Sequence, residues 1–152
     1  MAGLVALGAS VAVAGVLGLV LRRRQGRLRE TRRAPTAGGL DLTAELGLTP
    51  GGQQVTLVQF STAFCQPCVA TRRILEQVAG MVPGVSHVEI DAESHLGLVR
   101  RLGIMRTPTV LVLDAAGREV KRATGTPRKA DVIAAIGPMI TDMDTPRSPR
   151  VG

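Results

Sequence analysis

The residues best suited to chemistry are the two cysteines, which stand three positions apart in Cys65-Gln66-Pro67-Cys68. A short apolar stretch before them predicts a strand, and the spacing of apolar residues after them predicts a helix. The start of a helix carries unpaired N–H groups and partial positive charge, which stabilise a thiolate. Cys65 is therefore the candidate nucleophile, and Cys68 is expected to resolve a mixed disulfide formed at Cys65. Gln66 and Pro67 are expected to tune the redox balance of the pair.

Other uses of two cysteines fit the sequence less well. A zinc site needs four ligands, and the only histidines, His87 and His95, fall on different predicted elements. A structural bridge across so small a loop constrains little chain. Inert core cysteines would leave the position at a helix start unexplained. We therefore expect thiol–disulfide chemistry, with no metal and no cofactor other than the cysteine pair.

The positive charge of the chain is concentrated in one segment. The formal net charge is +7, from 19 basic and 12 acidic residues, which by itself suggests a nucleic-acid partner. Seven arginines and one acid lie between positions 22 and 33, so 12 basic and 11 acidic residues remain elsewhere. Because the rest of the chain is nearly neutral, no nucleic-acid partner is expected.

The first 21 residues contain no charged side chain, and the arginine-rich segment follows at once. A helix of that length covers about 30 Å, the thickness of the hydrocarbon core of a bilayer. A cleavable signal peptide carries its basic residues before the apolar run, so residues 1–21 are predicted to form a transmembrane helix. Basic residues near a span stay cytoplasmic, which predicts a cytoplasmic catalytic domain with Arg22 to Arg33 against anionic lipid headgroups.

The remaining chain divides at clusters of Pro and Gly. Residues 22–52 are predicted to be a basic juxtamembrane segment and linker, residues 53–137 a folded domain, and residues 138–152 a disordered tail. Within the domain the patterns predict the order β-α-β-α-β-β-α. The last helix is expected to end at Ile136. This order implies an α/β fold with a mixed central sheet flanked by helices.

Three segments of the domain resemble the thioredoxin family. Phe60 to Cys68 is similar to the family's active-site segment, in which an aromatic residue precedes C-x-P-C. Gly103 to Thr109 resembles the segment around the family's cis-proline, and Ala123-Thr124-Gly125 resembles the strand end that follows it. The similarity covers about 53–136 and implies a thioredoxin-like fold.

The resemblance also implies where a substrate docks. The bond between Thr107 and Pro108 is expected to be cis and to face Cys65, with the backbone of Thr107 docking an extended substrate. Phe64 takes the place of the aromatic residue beside the nucleophile and is expected to form part of the docking surface.

The sequence departs from the family at three positions. Gln59 stands where the family usually has a buried Asp that helps to move a proton at the inner cysteine, and an amide cannot titrate. Ser61 replaces the usual Trp. His87 stands where a buried lysine often partners the acid, and it is a candidate proton relay, although a hydrogen-bonded imidazole on a strand is the alternative.

Together these features predict a membrane-tethered thiol–disulfide oxidoreductase that reduces disulfides of partner proteins through its CQPC dithiol. The partners are expected to be membrane-associated clients and an electron donor that the sequence does not identify. An alternative is a thioredoxin-like binding or redox-sensing module with little turnover, which Gln59 and Ser61 motivate. A third interpretation keeps the chemistry and places the domain outside the cytoplasm.

Overall fold

A computed structural model describes residues 2–24, 26–30, 46 and 53–141. The described helices and strands, in chain order, are α1 (Ala2–Arg24), β1 (Arg29–Glu30), β2 (Val55–Ser61), α2 (Gln66–Met81), β3 (Val85–Asp91), α3 (Leu96–Arg101), β4 (Thr109–Asp114), β5 (Glu119–Thr124) and α4 (Lys129–Thr141). From β2 onward, this order matches the predicted β-α-β-α-β-β-α.

The described strands form one mixed sheet in the order β1-β5-β4-β2-β3. β2 runs parallel to β3 and antiparallel to β4, while β5 runs antiparallel to both β4 and β1. All seven residues of β2 are buried, since helices cover both faces of the sheet around it. Burial on both faces explains why this strand reads as a nearly continuous apolar run. The predicted mixed sheet is confirmed.

Alternate residues of β2 point to opposite faces of the sheet and divide the core in two. Leu57 belongs to a buried cluster with Leu75 of α2 and Val132 of α4. Phe60 belongs to a second cluster with Leu98 of α3. Full burial of side chains of this size contributes about 1.5–3 kcal/mol each, so the two clusters together fix the position of β2.

A short strand lies in the segment that the sequence analysis assigned to the juxtamembrane region and linker. Arg29 and Glu30 of β1 pair with Arg122 and Lys121 of β5, and Leu28 packs against the first core cluster. A strand of two residues is too short to show an alternation of apolar and polar side chains, so the sequence did not predict it. The residues 31–45 and 47–52 of the predicted linker lie outside the described residues.

The last helix is longer than predicted. It continues past Ile136 to Thr141, with Pro138 inside it, so the predicted tail was wrong for residues 138–141. Proline removes one backbone donor, but Met139 and Ile140 pack against the first core cluster, and this burial offsets the lost hydrogen bond. Residues 142–152 of the predicted tail lie outside the described residues.

α1 covers nearly all of the segment predicted to be transmembrane. Its described side chains, at positions 8 and 10–21, are exposed. Among the residues that the structure describes, no helix proves long and apolar enough to pass through a bilayer. The membrane span stays a prediction.

Candidate active site

The two cysteines lie at the junction between β2 and α2, as the sequence predicted. Cys65 is the N-cap residue of α2, and its sulfur is bonded to that of Cys68, with 5.2 Å between the two Cα atoms. The N–H group of Cys65 donates to the carbonyl of Thr62 at 3.3 Å, and that of Cys68 donates to the carbonyl of Cys65 at 3.0 Å. These bonds shape the turn that carries the chain from the buried strand into the helix.

The electrostatic environment at the start of α2 favours negative charge at Cys65. The first turn of the helix contains no acidic residue, and no side-chain cap hydrogen bond is made there among the described residues. The partial positive charge of the helix end is therefore available to a thiolate at the N-cap position. Pro67 fits the first turn because it has no N–H group to leave without a partner.

The two cysteines differ in accessibility. Cys65 is half-buried, whereas Cys68 is only 2% exposed and faces the core. Phe64, directly before the outer cysteine, is 99% exposed. A partner's sulfur approaching from solvent would therefore meet Cys65 first, beside an apolar ring that has no packing partner in the described domain.

The predicted docking segment is tied to the cysteine loop. The bond between Thr107 and Pro108 is cis, as the resemblance implies. The hydroxyls of Thr62 and Thr107 lie 3.2 Å apart, which joins the loop before Cys65 to the residue before the cis-proline. The N–H group of Gly125 donates to the carbonyl of Pro108 at 2.8 Å. Cysteine loop, cis-proline and the end of β5 thus form one edge of the domain.

A polar network connects the carbonyl of Cys68 to an ion pair. The Nε2 group of Gln59 donates to the Cys68 carbonyl at 3.0 Å and to the Ser61 hydroxyl at 2.8 Å. The Ser61 hydroxyl donates to Glu89 Oε1 at 2.6 Å. Arg72 donates to both carboxylate oxygens of Glu89, at 2.6 and 2.8 Å.

The ion pair holds Glu89 as a fixed anion. Hydrogen bonds from Arg72 keep the pKa of Glu89 below its ordinary value, although burial of the carboxyl acts in the opposite direction. The same hydrogen bond raises the pKa of Arg72. The sequence analysis missed both residues. The signal lay in strand register, since Glu89 stands directly opposite Gln59, and in helical spacing, since Arg72 follows Cys68 by four positions.

Comparisons with known proteins agree with this geometry. The family model described as Thioredoxin matches residues 50–137, more than half of the chain. This chain belongs to the thioredoxin family. Together with the cysteine pair, that membership makes it a thiol–disulfide oxidoreductase whose redox-active group is its own disulfide.

Individual thioredoxins are similar over the same part of the chain. Thioredoxin from Chlamydia muridarum is 29% identical over 82 residues, covering 54% of this chain and 79% of the relative. Chloroplastic thioredoxin M3 from Oryza sativa is 29% identical over 89 residues, covering 58% and 50%. The structure of the reduced Schistosoma mansoni thioredoxin pre-protein matches with a TM-score of 0.54 at 20% identity, covering 66% and 91%.

The neutral side chain at Gln59 distinguishes this thioredoxin from the family pattern. Gln59 is fully buried, and its Nε2 group lies 3.4 Å from Glu89 Oε1. The Cys68 carbonyl only accepts hydrogen bonds, which fixes the amide with Nε2 toward the cysteine. An acid at position 59 would face the carboxylate of Glu89, and Arg72 alone would have to balance both negative charges.

His87 takes no part in this network within the described residues. It lies on β3 opposite Leu57, and burial lowers its pKa, which favours the neutral imidazole. Its buried Nε2 atom has no hydrogen-bond partner among the described residues. The predicted proton-relay role of His87 stays a prediction. The described residues also contain no group of three or more metal-ligating side chains.

The substitution Gln59→Glu tests whether the Glu89 carboxylate disfavours an acid at position 59. The new buried carboxyl would lie beside the Glu89 carboxylate, and both burial and the like charge raise its pKa. A carboxyl with a raised folded pKa destabilises the folded state as pH rises above the unfolded value of about 4.3. We expect unfolding by urea to show near-native stability at pH 4 and a loss of about 1–3 kcal/mol at pH 8.

The matched control is Gln77→Glu on the exposed surface of α2, for which we expect a change within about 0.5 kcal/mol at both pH values. An equal pH dependence of the free energy of unfolding in the two variants would contradict the presence of a buried anion facing position 59.

Proposed function

We propose that this thioredoxin is a membrane-tethered reductase for disulfides of partner proteins, with Cys65 as the attacking and Cys68 as the resolving residue. The observation that carries the proposal is the asymmetry of the pair. Cys65 is half-buried at the N-cap of α2, while Cys68 is 2% exposed one turn deeper.

The proposed reaction transfers two electrons from the dithiol to the client. The thiolate of reduced Cys65 attacks one sulfur of the client's disulfide, so a mixed disulfide forms and the client's other sulfur leaves as a thiolate. The Cys68 sulfur then attacks Cys65 Sγ, which releases the second client sulfur. The client ends as a dithiol, and the protein ends with the Cys65–Cys68 disulfide. An electron donor of still unknown identity must reduce that bond before the next cycle.

Proton transfer at the inner cysteine needs an acceptor other than residue 59. Gln59 does not titrate, and the hydrogen bonds from Arg72 keep Glu89 a weak base. A thiolate, whose conjugate acid has a pKa of about 8.5, is a stronger base than a carboxylate, so we propose that the client's departing sulfur takes the proton. His87 as a proton relay remains a separate prediction.

Phe64 and Thr107 are proposed to dock the client. The exposed ring of Phe64 offers apolar contact beside the attacked disulfide, and the backbone of Thr107 offers hydrogen bonds to an extended segment. The hydroxyl contact between Thr62 and Thr107 supports this arrangement, because it joins the docking segment to the cysteine loop. Gln66 and Pro67, between the two cysteines, are proposed to set the reduction potential.

A second candidate function is a binding or redox-sensing module with little turnover. The observation that favours it is that Gln59, the side chain that donates to the Cys68 carbonyl, does not titrate. Such a module would keep the docking edge but would pass few electrons to a client.

The membrane tether is proposed from the N-terminal sequence. Residues 1–21 are uncharged and are followed by seven arginines within 22–33. Exposed apolar side chains of α1, such as Val11, Val16 and Leu17, suit a lipid environment. The arginines favour an orientation with the catalytic domain in the cytoplasm and the basic segment against anionic headgroups.

The substitution Cys68→Ser distinguishes the reductase from the binding module. Without the resolving sulfur, mixed disulfides between Cys65 and client proteins should accumulate and should disappear on treatment with dithiothreitol. Non-reducing gel electrophoresis of membrane fractions after alkylation measures these adducts. A binding module should give none.

The matched control is Cys65→Ser, which keeps one cysteine but removes the accessible one. We expect it to trap at least about tenfold less client, since Cys68 is buried. Comparable trapping by both variants would contradict the assignment of Cys65 as nucleophile.

Thiol labelling in intact cells tests the proposed orientation. After mild reduction, a membrane-impermeant maleimide should leave Cys65 unlabelled in intact cells and label it once the membrane is permeabilised. Labelling of intact cells would place the domain outside the cytoplasm. A double variant with serine at both cysteine positions measures background, because the chain has no other cysteine.

A further inference from the structure

The end of α1 is joined to the catalytic domain with almost no free chain between them. α1 ends at Arg24, and the N–H group of Gly26 donates to the carbonyl of Thr124 at 2.7 Å. Only Gln25 separates Arg24 from Gly26, so their Cα atoms are at most about 7.6 Å apart. From Gly26 the chain continues through Leu28, which packs on the core, into β1 at the sheet edge.

The point of attachment is the active-site edge of the domain. Thr124 is the last residue of β5, and the next residue, Gly125, donates to the carbonyl of Pro108. The hydroxyl of Thr126 donates to the carbonyl of Pro67 at 3.3 Å. The segment that holds Gly26 therefore contacts both the cis-proline and the CQPC loop directly.

The contact at Gly26 is too close for a side chain. Gly26 has a φ of +79°, and a Cβ atom there would lie 2.1 Å from the carbonyl oxygen of Thr126. Only glycine satisfies both the backbone conformation and the spacing. A loose linker would not impose such a restriction. We call this packed contact of Gly26 with Thr124 and Thr126 the seam.

The surface beside the seam is basic. A groove of about 620 Å³ lies along β1 and α4, and its lining includes Arg27, Arg29 and Lys121. The acid in its lining, Asp131, is paired with Arg128 at 2.9 Å. The three cations have no ion-pair partner among the described residues and complement an anionic surface next to the end of α1.

We propose that the seam holds the active-site edge against the membrane, so that the clients are disulfides in extended juxtamembrane segments of other membrane proteins. This inference rests on the tether in the proposed function. Summing Cα–Cα steps and contacts from Arg24 through Gly26 and Thr126 to Pro67 places the CQPC loop on the order of 20 Å from the end of α1. A disulfide far from the bilayer lies beyond the reach of a domain attached in this way.

Reporter proteins in vesicles test the inference. The full chain is inserted into phosphatidylglycerol-containing vesicles with single-pass reporters whose disulfide-closed loop follows the span either directly or after a rigid helix of about 60 Å. We expect the near loop to be reduced at least about tenfold faster, because the tether raises its effective concentration at the active site.

A spacer variant supplies the decisive comparison. Insertion of 40 Gly/Ser residues between Gln25 and Gly26 leaves the seam intact but gives a reach of about 35 Å on average and more when extended. We expect the near-to-far ratio to fall below about threefold, while the same insertion after Thr141 leaves it unchanged. Two results would overturn the inference. One is equal reduction rates of the near and far loops by the unmodified protein, and the other is a near-to-far ratio that the spacer leaves unchanged.

Two other failures are distinguishable from this one. Loss of activity on both reporters and on a small soluble disulfide would contradict the reductase itself. Release of the protein from the vesicles would contradict the tether and, with it, the inference.

Glycine substitutions test the seam independently. Gly26→Ala should lower the melting temperature by about 4–8 °C or more, since a 1 kcal/mol loss has that effect in a domain of this size. Gly80→Ala is the control, because Gly80 lies in α2 with nothing within 4 Å of an added Cβ, and it should not lower the melting temperature. Equal melting temperatures for the two variants would contradict the seam.

Discussion

The interaction on which the rest of the structure depends is the one between the N-terminal end of α2 and the sulfur of Cys65. A thiol becomes useful for exchange when its thiolate is stabilised in a place that a partner's sulfur can reach. β2 provides the place, because its burial on both faces fixes the point where the helix starts. The same arrangement buries Cys68 one turn deeper. The proposed roles of Cys65 as nucleophile and Cys68 as resolving residue therefore both depend on one strand–helix junction.

The charge behind the junction is arranged differently from the family pattern. Gln59 is neutral and donates to the carbonyl of Cys68, while the carboxylate stands on the neighbouring strand as Glu89 and is balanced by Arg72. Gln59, Glu89 and Arg72 together carry no net formal charge, and Gln59 Nε2 joins the Cys68 carbonyl to the ion pair. This arrangement also explains physically why an amide suits position 59, since a second carboxyl would lie beside the first.

Much of the fold and the central pair followed from the sequence, because strong patterns specify them. The apolar run of β2, the helical spacing in α2 and the C-x-P-C motif are local signals. The strand β1 was missed because edge pairing with β5 decides it. Glu89 was missed because only strand register reveals its neighbour Gln59. The helix end predicted at Ile136 was wrong because packing of Met139 and Ile140 outweighs the local signal of Pro138.

The most direct test of the central claim is the rate at which the reduced protein is alkylated as a function of pH. Stabilisation of the Cys65 thiolate by the start of α2 predicts an inflection well below about 8.5, the value for a free cysteine thiol. That inflection should persist in Cys68→Ser and vanish in Cys65→Ser. An inflection at or above the free-thiol value, or one that depends on Cys68 alone, would contradict the account.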